Sequence, residues 1–207
     1  MPTKRQWTAT LHTGAHVIVA GGWGSANIAL ATVDVLNVET QKWHTAEKLP
    51  EPLFHASVTL CGEHVYILGG YDELKKPSRT VYTCSLTALL ESDIKKKYYN
   101  EPSKHQSAFS PTKVWKRVAD LPVTESTAVS LHDQLLVVGG RDSEFSSTSA
   151  IYKYSFVSNS WEVISHMLTP RHLCFAAVIP DNRVLAVGGE SGRFALESIE
   201  IATSSID

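Results

Sequence analysis

The side chains of this chain able to do chemistry are nine histidines, three cysteines, many serines and 21 acidic residues set against 19 basic ones. None falls into a spacing that a reaction needs. A phosphate cradle needs a lysine-serine pair or a third glycine at the Gly-x-Gly-x-x-Gly spacing, and neither accompanies the Gly-Gly pairs here. There is no Cys-x-x-Cys or calcium-loop spacing, and no Gly-x-Ser-x-Gly elbow to expose a nucleophilic serine; His12 and His16 stand four apart, but across the expected turn Thr13-Gly14-Ala15 rather than on one helical face. His12, His16, His55, His64, His132 and His172 lie in or beside expected strands, as structural or turn residues. Glu73, Asp142 and Glu190 read as solvated loop charges. The expectation is no catalytic residue, no metal and no cofactor. What stands out is a set of arginines and aromatics in loops: Trp23, Tyr71, Arg79, Arg141, Phe145, Arg193 and Phe194, with Arg171 (and Arg5) at proline-led turns. Aromatic and arginine side chains dominate protein-binding hot spots, and arginine receives acidic or Ser/Thr-rich peptides through charge-assisted hydrogen bonds.

These loops are placed by a repeated strand. Val17-Ile18-Val19-Ala20-Gly21-Gly22 returns as Val65-Tyr66-Ile67-Leu68-Gly69-Gly70, as Leu135-Leu136-Val137-Val138-Gly139-Gly140 and as Val184-Leu185-Ala186-Val187-Gly188-Gly189. Four apolar residues make a short buried strand, and a glycine pair permits the positive φ of a tight exit. A second strand follows each pair: Val33 to Leu36, Val81 to Cys84, Ile151 to Tyr154 and Ile199 to Ala202, with whole or partial alternation. Trp43 stands 21 residues past Gly22, and Trp161 stands 21 past Gly140. Trp115 stands 45 past Gly70, so the second unit carries 24 extra residues. Proline breaks such as Leu49-Pro50 and Leu121-Pro122 then lead into an inner strand that returns to the next glycine pair.

Each unit thus predicts four short antiparallel strands. A Gly-Gly strand, an apolar strand, a tryptophan and a proline-led turn, repeating about every 50 residues, resemble the Kelch-repeat family along essentially the whole chain. The third unit is the closest match, with Tyr154 seven residues before Trp161; Leu36, Cys84 and Ala202 hold that place elsewhere. The resemblance implies an all-β, Kelch-type β-propeller with four blades over 1–207, approximately 2–48, 50–120 with an insert at 87–113, 122–166 and 168–207. A fourth tryptophan is due just beyond Asp207, so the last blade is expected to lack its outer strand. The family usually closes with six or seven blades, so the array is expected to be incomplete. Its open edges would invite self-association. Trp43, Trp115 and Trp161 should pack between blades, and Trp7 against a neighbouring blade or the channel. In the insert, Leu86, Leu89, Leu90 and Ile94 fit a short helical stripe. Lys95 to Lys97 with Tyr98 and Tyr99 read as a solvated loop, the alternative being a docking patch.

A net charge of −2 argues against nucleic-acid binding. No apolar run approaches the roughly 18 residues that span a bilayer, and the first residues lack the apolar core of a secretory signal. Cys61, Cys84 and Cys174 read as small buried hydrophobes of a reducing compartment, and the expectation is a cytoplasmic protein. The resemblance implies a non-catalytic protein-interaction scaffold, since equivalent propeller loops collect on one face. Many Kelch proteins are substrate receptors of cullin ubiquitin ligases, in which BTB and BACK regions precede the propeller. No such region occurs in these 207 residues, so that role requires a longer parent chain or a partner. The alternatives are a copper oxidase like galactose oxidase, which four blades cannot frame, or a fragment without independent function.

Overall fold

The structure is a computed structural model that describes residues 1–91 and 114–202. Four antiparallel sheets follow one another along the chain. Blade 1 contains β1 (Arg5–Gln6), β2 (Ala9–Thr13), β3 (His16–Ala20), β4 (Trp23–Gly24), β5 (Val33–Asn37) and β6 (Lys42–Thr45), with sheet order β2-β3-β5-β6 and the small pair β1-β4 beside it. Blade 2 is β7 (Ser57–Cys61), β8 (His64–Leu68), β9 (Val81–Ser85) and β10 (Lys116–Arg117). Blade 3 is β11 (Thr127–Leu131), β12 (Gln134–Val138), β13 (Ala150–Ser155) and β14 (Ser160–His166). Blade 4 has three strands among the described residues, β15 (Phe175–Ile179), β16 (Arg183–Val187) and β19 (Ile199–Ala202), plus the hairpin β17 (Glu190–Ser191) and β18 (Phe194–Ala195). This is the four-bladed β-propeller arrangement that the repeats predict.

The sheets stack because a strand that is apolar on both faces needs a neighbour on each. Ile18 and Val35 of blade 1 meet Val65, Ile67 and Tyr82 of blade 2. Tyr66 and Val81 of blade 2 meet Leu135, Val137 and Tyr154 of blade 3, and Leu136 and Ile151 of blade 3 meet Val184 and Ala186 of blade 4. The inner strands lie side by side in the series β2, β7, β11, β15. The outward face of blade 4 meets no described blade, and Phe175, Ile199 and Ile201 are exposed on it.

The tryptophans show what a neighbouring blade contributes. The Trp115 indole N–H donates to Glu47 O across blades 1 and 2, and that of Trp161 donates to Ala119 O across blades 2 and 3. The two acceptors are equivalent residues of successive blades. Trp115 is buried, whereas Trp161 and Trp43, the latter in the blade with no described sheet before it, are both half-buried. Two of the glycine pairs also reach the next blade's backbone. A Cβ on Gly21 would lie 2.2 Å from Leu53 O, and one on Gly139 2.2 Å from Arg171 O, each carbonyl belonging to the next blade. Those carbonyls accept the N–H of Gly22 and Gly140. Gly188, which no described blade follows, would meet nothing nearer than 3.6 Å.

Arg171, expected at a binding surface, is instead fully buried. Its guanidinium donates to Gly188 O, Ser198 O, Ser198 Oγ and Glu200, inside blade 4. A side chain so occupied cannot also reach a partner. Arg5 does the same in blade 1, bonding Gly21 O, Thr32 O and the buried Asp34. Leu53 and Val123 stand in the equivalent places of blades 2 and 3, opposite Tyr82 and Tyr152 rather than a carboxylate.

The insert begins as expected. Residues 86–91 are helical, Leu89 is in the core between blades 1 and 2, and Leu86 and Leu90 pack against it. Ile94 and the stretch from Lys95 to Tyr99 lie outside the described residues. Cys61, Cys84 and Cys174 are free and buried, and burial pushes the Cys84 thiol up to about 12. Among the described residues no helix is long and apolar enough to cross a membrane.

Candidate functional site: the loop face around the channel mouth

Each inner strand is entered through one residue with left-handed backbone: Trp7, His55, Glu125 and Leu173, with φ of 55°, 54°, 55° and 51°. Such a conformation costs an ordinary side chain about 1–2 kcal/mol. Its recurrence in all four blades makes it a requirement of the architecture: it turns the chain from the blade face down into the channel. The four stand at one end of the inner strands. His55 N donates to Trp7 O, and Leu173 N donates to Glu125 O, so successive blades are stitched at this level. Below lies a space of about 340 Å³ between the inner strands.

Above the mouth stand the loops after the glycine pairs. Bridges Trp23↔Ala29, Tyr71↔Pro77 and Arg141↔Ser147, together with the β17–β18 hairpin, close each into a small turn. Asp72 Oδ1 accepts from the N–H of Leu74 and Lys76, and Asp142 Oδ1 from those of Glu144 and Ser146. Asp142 is therefore the equivalent of Asp72, and while half-exposed it also shapes its own loop. Trp23, Tyr71, Arg141 and Glu190 are the four equivalent first residues of these loops.

They divide the face into an aromatic half and a polar half. On blades 1 and 2, Trp23 is buried against Phe54 and Tyr71, with ring centroids 4.8 Å apart for Trp23–Phe54 and 5.4 Å for Phe54–Tyr71. Trp7 lies 5.0 Å from His55, the rings stacked, and the Lys75 ammonium sits 4.8 Å over the Trp23 ring. Trp7, Phe54, His55, Tyr71, Lys75 and Leu173 line an open cleft of about 320 Å³. Trp7 thus faces both the neighbouring blade and the channel mouth.

The polar half is one connected network. The Tyr71 hydroxyl donates to Glu125 Oε1 at 2.5 Å, and Arg141 Nε pairs with Glu125 Oε2 at 2.7 Å. Arg141 Nη2 stands 2.6 Å from His172 Nε2, while His172 Nδ1 stands 2.9 Å from Ser147 Oγ. Glu190 lies 3.5 Å from His172, which is fully buried. Burial and the Glu125 hydrogen bond push the Tyr71 hydroxyl well up, so it stays a donor. Burial, then the Arg141 guanidinium, push the His172 imidazole below its ordinary value, so it stays neutral. Ser147, His172 and Glu190 have the residue types of a hydrolytic triad, but the hydrogen bonding is reversed. Arginine can only donate, so Nε2 accepts and the one imidazole proton sits on Nδ1, pointing at Ser147 Oγ. Ser147 Oγ also accepts Gly192 N–H at 2.9 Å. His172 therefore cannot take a proton from Ser147, and the group is a brace joining blades 2, 3 and 4.

The expected binding residues fall accordingly. Trp23 and Tyr71 come together, but as the packed wall of the aromatic half. Arg141 is held by Glu125 and His172, and its Nη2 also lies 3.5 Å from Gly192 O, in the turn that carries Arg193. Arg193, Phe194 and Phe145 are exposed at their loop tips, Phe145 at 66% and Phe194 at 78%. Arg79 lies two residues past the bridge that closes its loop, half-buried, with its carbonyl accepting Leu121 N–H at the entry to β9. The sequence reading passed over Phe54, Lys75 and Leu173, and it took His172 for a bland turn histidine. The only signal for Phe54, His172 and Leu173 is a near-constant spacing before the glycine pair, and Lys75 stands five residues after it.

The Kelch motif matches residues 9–50 and 122–168, the first and third blades. Among curated proteins, the chain is 25% identical over 206 residues to Kelch-like protein 38 of Homo sapiens, covering 86% of this chain and 35% of that one. It is 24% identical to Kelch-like protein 38 of Rattus norvegicus (78% and 33% covered) and 25% identical to Kelch-like protein 25 of Xenopus tropicalis (86% and 26%). The chain thus spans about a third or less of the length of these relatives. Among solved structures, that of YjhT superposes with a TM-score of 0.73 at 14% identity, over 99% of this chain and 68% of that one. The chain carries Kelch motifs in its first and third blades, and its four repeats are blades of a β-propeller.

Proposed function

We propose that this chain is a non-catalytic protein-interaction module that receives its partner on the loop face around the channel mouth. The observation that carries this reading is the exposure of Phe145 and Phe194 on loop tips whose bases are fixed by Asp142, Arg141, His172 and Ser147. Apolar rings held on a rigid frame lose little entropy on binding, which is the physics of a hot spot. Arg193 beside Phe194 adds a free cation at the rim, suited to an acidic or Ser/Thr-rich segment. Arg141 supports that surface from behind. The Kelch-like relatives favour the finer reading of a substrate-recognition part in a larger adaptor, such as a ubiquitin-ligase receptor. The apolar outer face of blade 4, with Phe175, Ile199 and Ile201, favours self-association as a second contact.

The test is affinity capture from source-cell lysate with three proteins: the parent, Phe145→Ser/Arg193→Ala/Phe194→Ser, and a deletion of residues 92–112. A differently tagged copy of the chain is included to score self-association. The triple variant should lose its partners at unchanged melting temperature, and the deletion should keep them. The opposite pattern would move the binding surface to the insert and its Lys95-to-Tyr99 patch.

A further inference from the structure

The aromatic cleft between blades 1 and 2 has a composition unlike the rest of the loop face. Its walls are the rings of Trp7, Phe54, His55 and Tyr71 and the side chain of Leu173, and Trp7 and Leu173 are each about half exposed at its lip. A volume of about 320 Å³ is at the lower end of the range for ligand sites and suits one ring-bearing side chain rather than a whole ligand. The one charged side chain in its lining is Lys75. That ammonium rests on the Trp23 ring, on a loop with two carboxylates: Asp72, engaged with backbone N–H groups, and Glu73, exposed two residues away. The nearest acid inside the face, Glu125, is bonded to the Tyr71 hydroxyl and to Arg141. An apolar slot with a single exposed cation at its edge is complementary to a ring with a negative charge beside it.

We propose that this cleft is a specificity subsite for a peptide partner carrying an aromatic residue next to an acidic one. The ring enters between Trp7, His55 and Leu173, offset-stacked on the exposed indole. The adjacent carboxylate draws Lys75 off Trp23 and pairs with it. The cation–π contact keeps Lys75 at the lip until a carboxylate arrives, so little side-chain freedom is lost on pairing. This inference rests on the loop-face reading above and adds the chemistry of one position in the partner.

The experiment uses the full chain and two blocked tetrapeptides, acetyl-Gly-Tyr-Glu-Gly-amide and acetyl-Gly-Tyr-Lys-Gly-amide, titrated while the indole N–H signals of Trp7 and Trp23 are followed by NMR. The Glu peptide should bind about fivefold more tightly than the Lys peptide, the scale of one exposed ion pair. Lys75→Glu should reverse that order. Leu173→Trp, which fills the slot from its exposed lip, should weaken both peptides by tenfold or more at unchanged melting temperature. Equal affinities, an order that Lys75→Glu leaves intact, or no shift of either indole up to millimolar peptide would overturn the proposal. If such a result accompanies partner loss in the Phe145/Arg193/Phe194 variant, the loop face still stands and only this subsite falls.

Discussion

Blade 4 holds a buried ion pair where blades 2 and 3 hold an apolar residue and a tyrosine, and this internal contrast can be turned into a measurement. Replacing Arg171 by leucine, the residue of blade 2 at this place, removes four donated hydrogen bonds and leaves Glu200 with only the N–H groups of Leu168 and Thr169. The arginine side chain is 0% exposed and that of Glu200 12%, so solvent screens the stranded carboxylate poorly. Breaking a buried pair from one side costs about 3–5 kcal/mol. Glu200→Tyr alone strands the guanidinium and should cost a similar amount. The double variant carries the Leu53/Tyr82 pairing of blade 2 and strands no charge. It should therefore recover at least about 2 kcal/mol of the summed losses, since coupled residues depart from additivity on that scale. Urea unfolding of all four proteins, followed by tryptophan fluorescence, closes the cycle. Additivity within about 0.5 kcal/mol, or an Arg171→Leu loss under about 1 kcal/mol, would refute the reasoning.

The pair also sets an acid limb. Burial raises the Glu200 carboxyl, but bonds from Thr169, Arg171 and Leu168 outweigh it and hold the group below its ordinary value. Its folded-state pKa is thus lower than the unfolded value of about 4.3. The stabilisation is complete above that value and is lost as pH falls through the lower, folded one. The double variant should lack this limb.

Two further comparisons use the fact that blades 1 and 4 each have a face with no described neighbour. Trp161→Ala should cost about 3–5 kcal/mol in urea unfolding, because it vacates an inter-blade contact. Trp43→Ala should cost less than half as much, and equal losses would deny that stacking is what the tryptophan contributes. Gly139→Ala and Gly188→Ala face the same backbone strain, at φ of 62° and 61°, but only the former drives a Cβ into the next blade's carbonyl. The melting temperature should fall much further for Gly139→Ala, and equal falls would mean that the first glycine serves its own turn alone.

The sequence by itself determined the repeat, the four blades, the strand order within each, and the loops that share a face. Those depend on local properties: apolar runs of strand length, glycines that alone tolerate the exit, and tryptophans at constant spacing. It also determined the helical start of the insert, since Leu86, Leu89 and Leu90 share a helical face, whereas their packing into the core between blades 1 and 2 came from the tertiary structure. Which side chains are free to bind was decided only by the tertiary structure. Arg171 and Arg193 are the same residue type near the same turns, yet one is consumed by Glu200 and two backbone carbonyls from distant strands while the other stands at a hairpin tip. Trp7, His55, Glu125 and Leu173 occupy one structural position, 15 or 16 residues before the second glycine, but share no chemistry that would align them by eye. Their common left-handed backbone exists because the blade must turn into the channel there. Likewise the proton on His172 Nδ1 follows from Arg141 of another blade, and the cleft beside Lys75 exists only where two stacked sheets bring Trp7 to His55. Strands are written in neighbouring residues, whereas a surface is made by residues that only packing brings together.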